Sequence, residues 1–257
     1  MDAYTGLAAL YDIFMDNIPY DEWYDYLRSL LAEYNVNKGI VLDLGCGTGN
    51  MTELLAAGGY DMIGIDNSDE MLSIAMEKAY AKELDILYLL QDMREFELYG
   101  TVAAVVSICD SINYITKTDD LVKVFSLVNN YLDPDGIFIF DMTTSKKYEN
   151  ITDDVIAENR EEGSFIWENT YFEAEKINQY DMTIFERLDN GLYKRHQETH
   201  IQRVYTLDEI KAALDLAGLK FEACYKAFTR HAPDDDCERI YVIARESVNH
   251  NETKKRR

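Results

Sequence analysis

The sequence VLDLGCGTGN, residues 41–50, joins a short apolar run to a turn that contains three glycines. The run is too continuous for a strand with one solvated face, so it predicts a strand covered on both faces, as in parallel sheets. Glycine has no Cβ to block close approach, and a helix that begins after the turn presents free N–H groups. The stretch therefore predicts a strand, turn and helix that meet a ribose or an anion, with a plain tight turn as the alternative.

Four further apolar runs resemble the first one and alternate with helical patterns. Ser68 is the predicted N-cap of a helix over 68–82, and residues 119–132 carry apolar side chains at helical spacing before the stop signal at 133–136. Alternation of strand and helix predicts an α/β core with right-handed crossovers. The runs cover 61–67, 85–92, 103–109 and 136–142, and another short helix is predicted over 50–57.

After residue 150 the pattern changes to alternating polar and apolar positions rich in aromatic and β-branched residues. This pattern is typical of antiparallel strands, and Asn190-Gly191 is a strong hairpin signal. We expect a small meander over 164–205, followed by a helix that opens with a capping box at 206–209 and ends near Gly218. Strands at 219–228 and 239–246 would bring the main sheet to seven.

The predicted fold class is α/β, with a Rossmann-like, seven-stranded, mostly parallel sheet, helices on both faces and a small antiparallel β insertion. We assign residues 1–149 and 206–246 to the core, which includes an N-terminal helical cap over 1–37. Residues 150–205 are expected to form the inserted subdomain, and 247–257 a flexible tail.

Composition and charge exclude several classes of function. The formal net charge of -23 would repel a phosphate backbone, so no nucleic-acid partner is expected. No stretch approaches the roughly 20 apolar residues of a membrane span, and the acidic N-terminal region lacks the basic start of a secretory signal. The four cysteines are far apart and include no CxxC pair. We expect a cytoplasmic protein with reduced thiols and no membrane partner.

Carboxylates lie near the glycine turn at positions that suit a nucleoside. Asp66 ends the second predicted strand about twenty residues after the turn, where a carboxylate can accept both ribose hydroxyls. Asp92 follows the third strand, and Asp43 lies inside the first strand, where burial demands hydrogen-bond donors or a raised pKa. A dinucleotide fingerprint needs glycine at the position of Asn50, so the spacing disfavours a nicotinamide oxidoreductase.

Three motifs thus lie in register: Asp43 with the Gly-x-Gly-x-Gly turn, Asp66 in IGIDNSDEML and Asp92 in LQDM. With these motifs the chain resembles the class I S-adenosylmethionine-dependent methyltransferases. Its segment YDIFMDNIPYDEW (residues 11–23) and its β insertion are similar to those of small bacterial members related to sugar-amine N-methyltransferases. The resemblance implies S-adenosyl-L-methionine as cofactor and S-adenosyl-L-homocysteine as product, held by Tyr11, Asp43, Gly45, Cys46, Gly47, Asn50, Asp66, Asn67, Met71, Gln91, Asp92, Met93 and Cys109.

The same resemblance implies that the loop over 109–114 borders the reacting centre. Candidate catalytic groups are Asp110 in this loop, His200 if the insertion covers the pocket, and Tyr11, whose ring would favour a sulfonium cation. An exposed strand position is the alternative for His200, and His196 would lie roughly 13 Å away along the strand, so no metal site follows. Candidate substrate contacts, with packing as the alternative for each, are Tyr20, Asn113, Tyr114, Trp167, Tyr171 and Arg203.

These features predict transfer of a methyl group to a nitrogen or oxygen atom of a small molecule. The tetrapeptide Asn/Asp-Pro-Pro-Tyr of relatives that methylate base amines is replaced by Asp-Ser-Ile-Asn at 110–113, which disfavours a nucleobase acceptor. Alignment of the reacting groups supplies much of the rate in such a displacement, so a strong base is optional. A non-catalytic S-adenosylmethionine-binding protein and a protein methyltransferase remain alternatives. Both a monomer and a homodimer fit the sequence.

Overall fold

The computed structural model describes residues 8–16 and 18–247, which form two β-sheets with helices packed on them. Most strands follow the apolar runs of the sequence within one or two residues. The strands are β1 (Ile40–Leu44), β2 (Asp61–Asp66), β3 (Ile86–Leu90), β4 (Val102–Ser107), β5 (Leu132–Thr143), β6 (Val155–Asn159), β7 (Gly163–Phe172), β8 (Ile177–Arg187), β9 (Tyr193–Arg203), β10 (Leu219–Lys226) and β11 (Arg239–Glu246).

The larger sheet has seven strands in the order β10-β11-β5-β4-β1-β2-β3. Only β11 runs antiparallel to its neighbours, and the other neighbouring pairs are parallel. The predicted Rossmann-like, mostly parallel sheet is therefore confirmed. The strand order reverses between β1 and β4, which opens a crevice at the carboxyl ends of the strands, where ligands of such sheets bind.

Helices cover both faces of this sheet, as predicted. Alternate residues of β1 serve the two faces: Val41 packs with α2 and α3, whereas Leu42 packs with α5 and α7. This two-sided burial explains why the strand reads as a continuous apolar run. The helices are α1 (Ala8–Phe14), α2 (Tyr20–Glu33), α3 (Asn50–Ala57), α4 (Asp69–Ala81), α5 (Thr118–Tyr131), α6 (Ser145–Ile151) and α7 (Leu207–Leu216).

Local capping signals act as the sequence predicts. The Ser68 hydroxyl accepts the backbone N–H of Met71 at 3.2 Å and caps α4. Thr206 and Glu209 form the predicted capping box of α7. α5 ends at Tyr131, just before the predicted stop signal at 133–136. β5 begins at Leu132 rather than at 136, because residues 132–135 join the strand with a register shift.

The antiparallel insertion forms a second sheet in the order β6-β7-β8-β9, between β5 and α7 in the chain. The hairpin at Asn190-Gly191 is confirmed, and Gly191 adopts the left-handed φ of +78° that such a turn requires. The sequence did not predict β6 or α6. Both are short, and β6 is mostly exposed, so neither leaves a clear apolar period.

The described part of the predicted helical cap consists of α1 and α2, and α2 buries Leu27, Leu30 and Leu31 against the sheet. Residues 1–7 of that cap, and the predicted tail from 248 onward, lie outside the described residues. Within 8–16 and 18–247, no helix is both long enough and apolar enough to span a bilayer.

Candidate cofactor and active site

A cavity of about 470 Å³ opens at the carboxyl ends of β1 to β4. It lies where the strand order reverses, so loops from four strands contribute to its wall. The structure brings to this cavity every residue that the sequence assigned to cofactor binding, together with two of the candidate substrate contacts. These are Tyr11, Tyr20, Asp43, Gly45, Cys46, Gly47, Asn50, Asp66, Asn67, Met71, Gln91, Asp92, Met93, Cys109 and Tyr114.

The glycine turn forms one wall and depends on left-handed backbone. Gly45, Gly47 and Gly49 have φ values of +82°, +54° and +78°. A Cβ at Gly45 would lie 2.8 Å from the Ser111 side chain, whereas a Cβ at Gly47 would meet no protein atom within 4 Å. The backbone at Gly47 therefore borders open space inside the cavity. We call this open backbone the cradle, because a ligand can approach the main chain closely there.

Asp66, at the end of β2, holds the turn in place. Its carboxylate accepts the backbone N–H of Gly47 at 2.8 Å and that of Ser68 at 2.9 Å. Burial raises the pKa of Asp66, and these N–H donors act in the opposite direction. A carboxylate oxygen has lone pairs beyond these two bonds, so Asp66 can also accept ribose hydroxyls.

Asp43 is the buried acid that the sequence singled out inside β1. It is 2% exposed and accepts the Thr52 hydroxyl at 2.6 Å. Burial, assisted by the charge of Asp66, raises the pKa of Asp43 to about 7 although the Thr52 bond lowers it. Both expectations for this acid, a donor and a raised pKa, are met in the structure. A positively charged ligand group beside Asp43 would favour its ionised form.

Asp92, after β3, is held by Arg94, which lies two residues further along the chain. The backbone N–H and the Nε of Arg94 both donate to one Asp92 oxygen, at 2.8 and 2.9 Å, and the guanidinium also pairs with the other. The Arg94 side chain holds the pKa of Asp92 below its usual range. Gln91 is pinned as well, because its Oε1 accepts the Glu97 N–H at 2.7 Å. This edge of the cavity is polar.

The opposite end of the cavity is aromatic. It is lined by Tyr11, Tyr20, Cys109 and Tyr114, and we call it the aromatic end. Burial, and to a smaller degree the neighbouring Tyr20, Cys109 and Tyr114, raises the pKa of Tyr11 well above its usual value. Cys109 and the next residue, Asp110, both adopt left-handed φ values, +63° and +53°. Two such non-glycine residues in succession are strained backbone of the kind found at functional sites.

A latch of polar side chains, which sequence reasoning missed, ties α1 to the glycine turn. Asp12 accepts the Thr48 hydroxyl at 2.7 Å, the Asn50 amide at 2.9 Å and the Lys78 ammonium at 2.8 Å. Burial alone would raise the pKa of Asp12, but these donors, Lys78 first, lower it. Asp12 follows Tyr11 directly, so the latch fixes the helix that covers the cavity. Asp12 is separated from Lys78 by 66 residues, and nothing local in the sequence signals the contact.

Several sequence candidates do not reach the cavity wall. Asp110 is engaged instead by Arg239 and Gln202, each at 2.7 Å. Asn113 is fully buried and holds the backbone, donating to the carbonyl oxygens of Thr143 at 3.1 Å and Arg203 at 2.9 Å. The loop over 109–114 does border the cavity. The side chains of Asp110 and Asn113 do not line it, because Asp110 pairs with the Arg239 guanidinium and Asn113 bonds to buried backbone.

The candidate substrate contacts of the insertion, Trp167, Tyr171 and Arg203, do not line the cavity either. Trp167 packs edge-on against Tyr180 at 4.9 Å, and Tyr171 stacks on Tyr148 at 5.7 Å. The Arg203 guanidinium donates to the Thr116 carbonyl at 3.1 Å and lies 4.7 Å from the Tyr205 ring. For all three residues the geometry favours the packing alternative. Strand alternation shows which residues share a face, but not which element covers that face.

His200 is neither exposed nor on the cavity wall. Its side chain is 2% exposed, so the exposed position allowed for it in the sequence is wrong. Nδ1 lies 3.0 Å from the Tyr114 hydroxyl and Nε2 lies 2.9 Å from Glu198. His196 makes a separate pair with Glu186 at 2.9 Å. In the part of the chain that the structure describes, no group of three or more His, Cys, Asp or Glu side chains is arranged to hold a metal ion.

A seven-stranded sheet of this order, with a glycine turn and carboxylates after three strands around one crevice, is the arrangement of a class I methyltransferase. A family model described as a methyltransferase domain matches residues 41–136. YqeM of Bacillus subtilis (strain 168), which carries a methyltransferase name, is 37% identical over 95% of this chain and 97% of its own length. A protein of Geobacillus sp. (strain WCH70) with a similar name is 34% identical over 94% and 99%. The chain belongs to the class I S-adenosylmethionine-dependent methyltransferases.

Solved structures agree with this assignment. A crystal structure of an S-adenosylmethionine-dependent methyltransferase from Clostridium acetobutylicum ATCC 824 has a TM-score of 0.84 at 28% identity, over 96% of this chain and 100% of that chain. The sugar N-methyltransferase KedS8 from Streptoalloteichus sp ATCC 53650 has a TM-score of 0.75 at 18% identity, over 93% of each chain, which is a likeness of fold. These two structures confirm the predicted methyltransferase fold, which the sugar N-methyltransferase shares.

Proposed function

We propose that the protein binds S-adenosyl-L-methionine in the described cavity and transfers its methyl group to a nitrogen or oxygen atom of a small molecule. One observation carries the proposal: the glycine turn and the carboxylates of Asp43, Asp66 and Asp92 line a single cavity of about 470 Å³. That volume lies within the usual range of sites for small ligands. The cradle at Gly47, with no protein atom within 4 Å of a built Cβ, gives room for such a ligand.

The residues of the cavity divide the binding task among them. Asp66 is placed to accept the ribose hydroxyls, and Asp92 the adenine amino group, because the two acids follow adjacent strands at one edge of the crevice. Asp43 and the N–H groups of the turn would hold the amino-acid end. When bound, S-adenosylmethionine supplies an electrophilic methyl group. Tyr11, Tyr20 and Tyr114 would then exclude water at the aromatic end and favour a cation there.

A second candidate function is that of a protein methyltransferase. The formal net charge of -23 favours it, because an acidic surface attracts basic peptides. The buried setting of the aromatic end favours a small acceptor instead. A non-catalytic binding protein would show cofactor affinity and no transfer. A dehydrogenase would bind NAD and not S-adenosylmethionine.

Calorimetry with S-adenosylhomocysteine tests the proposal directly. Asp66→Ala should weaken binding by on the order of 1 to 3 kcal/mol, because charged hydrogen bonds to ribose are lost and the Gly47 N–H loses its acceptor. Asp61→Ala is the matched control: Asp61 is an exposed acid at the other end of β2, and affinity should not change. Unchanged affinity in Asp66→Ala, or no heat with the wild type, would contradict cofactor binding at this site.

A further inference from the structure

A buried chain of three polar side chains runs from the aromatic end into the insertion. The Tyr114 hydroxyl lies 3.0 Å from Nδ1 of His200, and Nε2 of His200 lies 2.9 Å from Glu198. Tyr114 lines the cavity, whereas the His200 and Glu198 side chains are each 2% exposed. The two insertion residues stand two apart on β9 and share its inner face. A carboxylate, an imidazole and a hydroxyl in this order have the connectivity of an orienting group, a base and the group that meets the substrate.

The surroundings of this chain are acidic. Arg239 pairs with both Asp110 and Asp141, and Asp141 is fully buried. Burial alone would lower the pKa of Arg239, but the two carboxylates outweigh it and raise that pKa well above its usual value. Two carboxyl groups therefore share one guanidinium. With both carboxyl groups ionised, the triad of Asp110, Asp141 and Arg239 carries a net charge of one negative unit. Burial is the main cause of the raised pKa of Tyr11 at the aromatic end, and Asp110 adds a smaller repulsion.

We propose that Tyr114, His200 and Glu198 form a proton relay, and that the methyl acceptor is an amine that is protonated in water. The inference rests on the proposed methyl transfer and names its substrate class. Tyr114 is the catalytic residue of the relay, because it borders the cavity. His200 and Glu198 are positioning residues, since they act through Tyr114.

The proton balance follows from the order of the three groups. The acceptor ammonium gives a proton to the Tyr114 oxygen while the Tyr114 hydroxyl proton passes to Nδ1 of His200. The imidazole becomes imidazolium, held by the Glu198 carboxylate through its Nε2–H. The amine, now neutral, attacks the methyl carbon: a carbon–nitrogen bond forms, the carbon–sulfur bond breaks, and its electron pair stays on sulfur as a neutral thioether. The positive charge of the sulfonium ends on the methylated amine.

An amine fits this site better than an alcohol does. Loss of a proton from an ammonium leaves a neutral nucleophile and moves the positive charge to an imidazole beside Glu198. Loss of a proton from an alcohol would leave an anion at the aromatic end, behind which the carboxylates of Asp110, Asp141 and Glu198 lie, and like charges near a buried site oppose ionisation. A carboxylate acceptor meets the same repulsion before any reaction.

The variants Tyr114→Phe and His200→Gln test the relay, and His196→Gln is the matched control. His196 is a histidine on the same strand, and its Nε2 pairs with a glutamate of its own, Glu186, at 2.9 Å. The chain has four histidines, so ¹⁵N-histidine labelling gives few imidazole signals, and His200→Gln assigns the one of interest. In the S-adenosylhomocysteine complex we expect a neutral His200 with its proton on Nε2 and an unprotonated Nδ1. The Nδ1 signal should move in Tyr114→Phe and not in His196→Gln.

Activity is measured as S-adenosylhomocysteine formation on matched pairs: glucosamine and glucose, cyclohexylamine and cyclohexanol, tyramine and 4-hydroxyphenethyl alcohol. We expect turnover of an amine and not of its alcohol. Tyr114→Phe and His200→Gln should lower kcat for that amine by about 100-fold or more, the usual effect of losing acid–base catalysis, with a much smaller change in KM. His196→Gln should keep the wild-type kcat.

Failure of the relay and failure of the proposed function give different results. Loss of S-adenosylhomocysteine binding in the wild type would overturn the proposed function itself. Intact binding with an alcohol methylated in preference to its amine, or with unchanged kcat in both relay variants, would overturn the relay and its substrate class alone. If no pair reacts, the NMR signal of His200 tests the relay. A neutral His200 with its proton on Nδ1 cannot accept a proton from Tyr114, and this result would overturn the relay.

Discussion

Gly47 and Gly59 both have a positive φ but differ in what surrounds them. Their φ values are +54° and +98°, and a Cβ built on either meets no protein atom within 4 Å. Gly47 borders the cavity, whereas Gly59 lies in the turn before β2. Alanine at either position should cost about 1 to 2 kcal/mol of the free energy of unfolding, because left-handed backbone is unfavourable with a Cβ.

The two substitutions should differ in binding. In Gly47→Ala the new methyl group occupies space proposed for the cofactor, so S-adenosylhomocysteine affinity measured by calorimetry should fall at least about tenfold, which is 1.4 kcal/mol. Gly59→Ala should bind like the wild type. Equal affinity in the two variants would show that the open space at Gly47 is not the cofactor site.

Asp43 makes folding stability depend on pH. Its pKa is raised to about 7 in the folded protein, chiefly by burial, from an unfolded value near 3.8. The folded state therefore holds the Asp43 proton more tightly than the unfolded state does. The contribution of this proton to folding stability is complete below about pH 4 and is lost as pH rises to about 7. Asp43→Asn, which keeps the shape and cannot ionise, should become more stable relative to the wild type by on the order of 2 kcal/mol between pH 5 and pH 8.

Urea unfolding of the two proteins at both pH values measures this difference. Asp25→Asn, which changes an exposed acid of α2, is the matched control. The same Asn variant should bind S-adenosylhomocysteine more weakly at pH 8, because the cofactor ammonium loses a carboxylate partner. A pH-independent difference in stability between wild type and Asp43→Asn would contradict the assignment of the raised pKa.

At the scale of elements, α1 is held over the cavity by the polar contacts of Asp12 in addition to its apolar contacts with the insertion. Asp12→Ala removes its bonds to Thr48, Asn50 and Lys78, while the apolar contacts of Leu10 and Phe14 with the insertion remain. We expect the cofactor to dissociate faster and its affinity to fall by about 1 to 2 kcal/mol, since hydrogen bonds to a partly buried charge are lost. Stopped-flow measurement of S-adenosylhomocysteine release tests this.

Asp21→Ala is the control for the latch, because Asp21 is an exposed acid at the start of α2. It should leave the release rate unchanged. If Asp12→Ala also releases the ligand at the wild-type rate, α1 does not restrain the cofactor.

The sequence predicted those elements whose causes are local. The Ser68 cap, the capping box at Thr206 and the hairpin at Asn190-Gly191 each depend on residues within a few positions of one another. The residues proposed to hold the cofactor could be assigned to one cavity because the carboxyl ends of parallel strands meet at one edge of the sheet. The Asp12 latch and the burial of His200 could not, because each depends on a partner brought from a distant part of the chain.

On the scale of the whole molecule, the insertion and the core share buried contacts. The Asn113 amide donates to Arg203 at 2.9 Å and Gln202 donates to Asp110 at 2.7 Å, so β9 is tied to the loop after β4. On another side, Leu10 and Phe14 of α1 pack against Phe165 of β7. Polar pairs buried in this way are costly to separate. The two sheets should therefore unfold together.

The two tryptophans of the chain report on the two parts, since Trp23 lies in α2 and Trp167 in β7. In Trp23→Phe the remaining fluorescence follows the insertion, and in Trp167→Phe it follows the core. For each variant we expect the urea midpoint by fluorescence to equal the midpoint by far-ultraviolet circular dichroism, as coincident probes require for one cooperative transition. A Trp167 midpoint at lower urea than the circular dichroism of the same variant would show that the insertion opens alone, and that the aromatic end loses its cover before the core unfolds.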